Sequence, residues 1–126
     1  MSPLRSVLIG HRDRDRIHAL LMNTDAAEFS LLYDELDAAI VMDDDLLPSD
    51  VVTMNSKITF VDLDKSIETT VTLVYPQEVK NTPQGVSILA PVGAALIGLR
   101  SGETIEWPLP NGGMRRLRVV EVQQLG

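Results

Sequence analysis

The chain has 126 residues, 44% of them hydrophobic, enough to bury the core of one ordinary domain or of a small domain with an appendage. Its formal net charge of −7 argues against a long phosphate backbone as partner, because nucleic-acid affinity rests on clustered Lys and Arg. The absence of cysteine excludes disulfides and thiolate metal sites and suits a reducing cytosol.

Val7-Leu8-Ile9 is the only apolar run near the start. It is too short for a signal-peptide core or a membrane span, so a cytoplasmic protein is expected. Leu4 to Ile9 reads as a short strand or an ordered arm. Arg12 to Met22 turns helical, with Ile17, Leu20 and Leu21 at i, i+3, i+4. Asn23-Thr24-Asp25 breaks the period. A second helix is expected from Ala26 to about Val41, with Phe29, Leu32, Tyr33, Leu36 and Ile40 on one stripe. Two amphipathic helices with a short turn should pair antiparallel as a hairpin, a short coiled coil.

Asp43-Asp44-Asp45 and Pro48 end the helical period. This places a helical hairpin at 1–47 and a second domain at 48–126. Val51 to Met54 is strand-like. Lys57 to Leu63 alternates, and so does Ile67 to Tyr75, with Ile67, Thr69, Val71, Leu73 and Tyr75 on one face. Pro76 to Gly85 is a polar loop. Ser87-Ile88-Leu89 is a short extended run broken by Ala90-Pro91. Gly93 to Leu99 makes about two helical turns. Ile105-Glu106-Trp107 and Arg115 to Val122 are further strands, the second led in by Asn111-Gly112-Gly113. The expected class is α+β: a helical hairpin, then an antiparallel sheet interrupted by one short helix. The stretch from Ser87 to Trp107 has the character of a docking edge.

Catalytic signals are weak. Asp25 and Glu28 have the spacing of a capping box, and two carboxylates on a hairpin tip would also suit a divalent cation. Asp43 to Asp45 reads as a solvated acidic segment. His11 and His18 lie seven apart, whereas a zinc pair needs i, i+4 and a third ligand. No phosphate loop with its lysine and no nucleophile elbow occurs. Trp107 reads as core. Neither a catalytic residue, nor a metal site, nor a cofactor is expected.

Three segments occur in an order that resembles the regulators of nucleoside diphosphate kinase, the Rnk family. They are Val51-Val52-Thr53-Met54-Asn55-Ser56, Leu73-Val74-Tyr75-Pro76, and Ala90-Pro91-Val92-Gly93-Ala94-Ala95-Leu96-Ile97-Gly98-Leu99. That family is related to the transcript-cleavage factors GreA and GreB. The resemblance implies a helical hairpin ahead of an FKBP-like domain that docks on RNA polymerase near its secondary channel. Leu89, Ala90, Pro91, Val92 and Leu99 are the expected contact residues. Gre factors carry a longer hairpin whose acidic tip holds the catalytic magnesium of the polymerase. Here helices of ten to fifteen residues reach only about 15–22 Å, so Asp25 and Glu28 should stop short. An FKBP-like fold also suggests prolyl isomerase activity, but 4% aromatic residues cannot line that pocket. The expected protein is a non-enzymatic regulator that binds polymerase and competes with Gre factors. No direct nucleic-acid or membrane contact is expected, and a monomer is favoured. A magnesium-dependent cleavage cofactor and an adaptor for another protein are the alternatives.

Overall fold

A computed structural model describes residues 7–23, 30–108 and 113–124. The chain divides into two compact units, Met1–Pro48 and Ser49–Gly126.

In the first unit, strand β1 (Leu8–Gly10) leads directly into helix α1 (His11–Met22). Helix α2 (Ser30–Asp37) leads into strand β2 (Ile40–Met42). The strands pair in parallel, Leu8 with Ile40 and Gly10 with Met42. Ile17 and Leu21 of α1 and Leu32 and Leu36 of α2 are buried, each pair one turn apart on its helix. The His18 and Tyr33 rings lie 6.1 Å apart. Asn23 closes α1: its N–H donates to the Leu20 carbonyl and its side-chain amide to that of Ala19.

The second helix therefore ends at Asp37, short of the expected Val41. The Ala39 N–H tightens onto the Leu36 carbonyl, and the next N–H, of Ile40, goes instead to the Val7 carbonyl at 2.9 Å. From there Ile40-Val41-Met42 follow β1, where β-branched side chains fit better than in a helix. Ile40, expected on the helical stripe, is 51% exposed.

The second unit is a five-stranded sheet. Its strands are β3 (Ser56–Asp62), β4 (Ile67–Val74), β5 (Gly85–Ser87), β6 (Thr104–Pro108) and β7 (Met114–Gln124), in the order β5-β4-β3-β7-β6. Ile58 and Phe60 of β3, Val71 and Leu73 of β4, Leu117 and Val119 of β7, and Ile105 and Trp107 of β6 are buried. Helix α3 (Pro91–Leu96) is buried from Gly93 onward.

The sheet departs from the antiparallel arrangement expected from the order of elements. The short edge strand β5 runs parallel to β4, because the loop from Tyr75 to Gln84, with a 3₁₀ turn at Pro76–Asn81, carries the chain back along it. Val51 to Met54 forms no strand. Val51 makes an isolated bridge with Arg100, beside which the Val52 N–H donates to the Leu99 carbonyl and the Gly98 N–H donates to that of Val52. Of the face shared by Ile67, Thr69, Val71, Leu73 and Tyr75, the last three are buried, whereas Ile67 is 54% exposed and Thr69 is exposed too, at the turn end of the β3–β4 hairpin.

Candidate docking surface

The edge of the sheet is built by a tight turn from β5 into α3. The Ser87 hydroxyl accepts the Leu89 N–H at 3.0 Å, and the Ser87 carbonyl accepts that of Ala90 at 3.0 Å. Ala90 is extended, at φ −70° and ψ 148°, as the residue before a proline should be. Pro91 then takes the first helical position, where its missing N–H costs nothing. A side chain at 93 would strike the Ser87 carbonyl, so glycine lets α3 lie directly on β5.

This geometry sorts the expected contact residues. Pro91 is exposed, and Leu89, Ala90 and Val92 are half-buried, so four apolar residues share one turn at the surface. Leu99 is different. It is 2% exposed, because the chain after Gly98 turns inward to bond with Val52. Leu99 supports the edge from within and is not available to a partner. Asp25 and Glu28 lie outside the described residues.

Beyond Leu99 comes a polar cluster that the sequence reading missed. Arg100 donates through Nε and a terminal nitrogen to Asp50 Oδ1, at 3.2 and 3.1 Å. The Ser101 hydroxyl donates to Asp50 Oδ2, and Glu103 accepts the Arg100 N–H at 2.7 Å. Burial pushes the Asp50 carboxyl up, but the Arg100 and Ser101 bonds outweigh it, and the group is held below its ordinary value. Fifty residues separate the partners, so no local pattern marks the pair.

A second carboxylate fixes the β3–β4 turn. Asp62 is 5% exposed and accepts the N–H groups of Asp64 and Lys65 and the guanidinium of Arg115, at 3.0, 3.2 and 3.2 Å. Burial acts against its charge, and these three donors together lower its pKa. Next to it Arg116 pairs with Asp64 at 2.8 Å, which raises the guanidinium pKa.

Charge divides unevenly along the chain. Residues 1–48 hold ten Asp and Glu against four Arg, whereas 49–126 hold eight acids against seven Lys and Arg. Among the described residues no group of three His, Asp or Glu is placed to hold a metal ion. None of the described helices is long and apolar enough to cross a membrane. The surface at Pro91 presents apolar side chains on a hydrogen-bonded backing.

Residues 47–124 match the family model of the transcription elongation factor GreA/GreB C-terminal domain. The chain belongs to that family. Within it, the chain groups with the Rnk proteins: the regulator of nucleoside diphosphate kinase of Escherichia coli strain K12 is 39% identical over 121 residues, 94% of this chain and 89% of that protein. GreA of Azorhizobium caulinodans is 31% identical over 82% of this chain, which spans 65% of that GreA. A solved structure described as a prokaryotic transcription elongation factor GreA/GreB from Nitrosomonas europaea superposes with a TM-score of 0.75. It is 42% identical, and the match covers 94% of this chain and 98% of that one. The GreA/GreB domain match takes in every strand of the five-stranded sheet, helix α3 and the Pro91 turn.

Proposed function

We propose that this protein is a non-enzymatic transcription regulator that binds RNA polymerase near its secondary channel and excludes Gre factors from it. The observation that carries the reading is the turn at Leu89-Ala90-Pro91-Val92. It is an apolar contact held rigidly by the Ser87 bonds and by the close approach of Gly93, inside the part of the chain that matches the GreA/GreB domain. A small apolar anchor on a preorganised backbone loses little entropy on binding. Regulation of nucleoside diphosphate kinase, the activity in the name of the 39% identical relative, is proposed as a consequence of this role.

The acidic first unit supports the same reading, since ten acids against four arginines favour approach to a basic surface. Its helix α1 has twelve residues, a length of about 18 Å. Such a unit would act by occupying the channel mouth. On this reading, replacing Asp25 and Glu28 by Ala leaves polymerase binding intact.

The test is binding of the purified chain to bacterial core RNA polymerase with GreA as competitor. Mutually exclusive binding at micromolar or tighter affinity supports the proposal. No binding at about 100 micromolar, roughly 5.5 kcal/mol on the affinity scale, refutes it.

A further inference from the structure

We infer that the solvent face of the five-stranded sheet carries a groove for a small zwitterion of the amino-acid class, independent of the polymerase contact. Lys57, Thr59, Thr70, Gln84, Glu121 and Gln123 line a concavity of about 200 Å³ there. Two separate departures from regular backbone put polar side chains into it.

The first is a β-bulge. Phe60 pairs with Val119 but Thr59 pairs with Glu121, which leaves Val120 as an extra residue in β7. Ahead of the bulge, Leu117 and Val119 face the core. After it, Val122 lies opposite the buried Ile58, while Glu121 and Gln123 lie opposite Thr59 and Lys57 on the open face. Unbroken alternation from Val119 would have turned Glu121 and Gln123 inward. The bulge thus creates one wall of the groove.

The second is Gln84. Its φ is 55°, in the left-handed region that favours glycine, and its carbonyl accepts the Thr72 N–H. The glycine stands one residue later. At Gly85 a Cβ would come within 3.0 Å of the Thr82 carbonyl oxygen. The chain therefore spends glycine on space at 85 and keeps a long polar side chain at the strained position beside it. Strain retained at a side chain that lines a cavity is a mark of use.

The chemistry of the lining selects the ligand. The Thr59 and Thr70 hydroxyls bond each other at 2.9 Å. Lys57 and Glu121 are exposed on the groove walls and, like Lys65 and Lys80 of the same domain, form no ion pair among the described residues. Lys57 and Glu121 occupy diagonal positions on neighbouring strands, with Cα atoms about 7–8 Å apart. A ligand that carries a carboxylate and an ammonium on adjacent atoms meets both charges at once. The carboxamides of Gln84 and Gln123 suit a polar side chain on that ligand. Glu121 repels a polyanion, and a wall without aliphatic or aromatic residues rejects an apolar molecule.

The experiment is a nitrogen-15 NMR titration of the full chain with L-glutamine up to about 20 mM, a range set by the affinity reachable with so few ligand atoms. Saturable shifts confined to the amides of residues 57–59, 70–72, 84 and 121–123 are expected. Lys57→Met and Glu121→Gln should each weaken binding at least tenfold, and acetate or methylammonium alone should bind at least tenfold more weakly than glutamine. Both variants change exposed side chains, and their own spectra report whether the fold is kept. The absence of saturable, localised shifts overturns the inference. So do shifts that persist unchanged in both variants, or equal binding of the singly charged probes. The free chain suffices, so this result and that of the polymerase competition are separate.

Discussion

Gly93 stands so close to Ser87 that a Cβ on Gly93 would collide with the Ser87 carbonyl oxygen, and it would also lie 3.1 Å from Leu73 Cδ1. The turn at Pro91 thus hangs on one glycine. The same carbonyl accepts the Ala90 N–H that sets up the helix start, so moving it disturbs both β5 and α3. Gly93→Ala should therefore cost about 1–3 kcal/mol, the usual range for overpacking. Urea unfolding checks this, and an unchanged midpoint at unchanged m-value would contradict the close packing.

Val92 and Leu99 should behave as opposites. Val92 is half-buried at the surface turn, so Val92→Asp should leave the fold intact and weaken polymerase binding at least tenfold, because it places an unpaired charge in an apolar contact. Leu99 is buried, so Leu99→Ala should cost about 2–5 kcal/mol of stability. Thermal melts alongside the competition assay separate the two. Normal binding by Val92→Asp would rule out this edge as the contact.

Asp62 predicts a pH dependence. Its folded pKa lies below the 3.8 of the unfolded group, so its contribution is present above pH 3.8 and is lost as the pH falls through the lower folded value. Asp62→Asn removes the charge that Arg115 pairs with. It should cost about 1–3 kcal/mol at neutral pH and much less near pH 2. Denaturation midpoints measured at both pH values check the sign; an equal loss at both would contradict the ionic role.

Ser66 adopts φ 55° at the end of the β3–β4 turn, where its N–H donates to the Asp62 carbonyl at 2.7 Å. That backbone costs an ordinary L-residue about 1–2 kcal/mol. Ser66→Gly should raise stability by up to about 1 kcal/mol, since glycine also loses more freedom on folding. A lowered melting temperature would show that the Ser66 side chain compensates the strain.

The Arg100–Asp50 pair is half exposed, so Arg100→Ala should change stability by no more than about 1 kcal/mol. A larger loss in low salt that persists in about 1 M salt would mean that the cluster acts through packing, since screening is then nearly complete.

Much of the fold was legible from local pattern. Period-two alternation located β3, β4, β6 and β7, and the 3.6 period located α1, because each reports the residue's own burial. Pro91 marked the start of α3. The polar groove was not legible. Its lining comes from four strand or loop segments, and two of its walls arise where the local rule is broken, at the bulge beside Val120 and at Gln84. The Asp50–Arg100 and Asp62–Arg115 pairs were missed for a related reason, as each joins residues about fifty positions apart.

The sequence by itself determined α1 and the strands β3, β4, β6 and β7, the acidic bias of the first 48 residues and the membership of the GreA/GreB family, since these depend on residue identity and short-range order. Only the tertiary structure decided that Ile40-Val41-Met42 leaves the helix to pair with Leu8-Ile9-Gly10, that β5 runs parallel to β4, and that Leu99 is buried while Pro91 is not. Each of those outcomes turns on which distant backbone group takes a hydrogen bond, as the Val7 carbonyl takes the Ile40 N–H and Val52 exchanges bonds with Gly98 and Leu99. A buried N–H must find an acceptor somewhere, and a side-chain pattern records that requirement without recording which segment meets it.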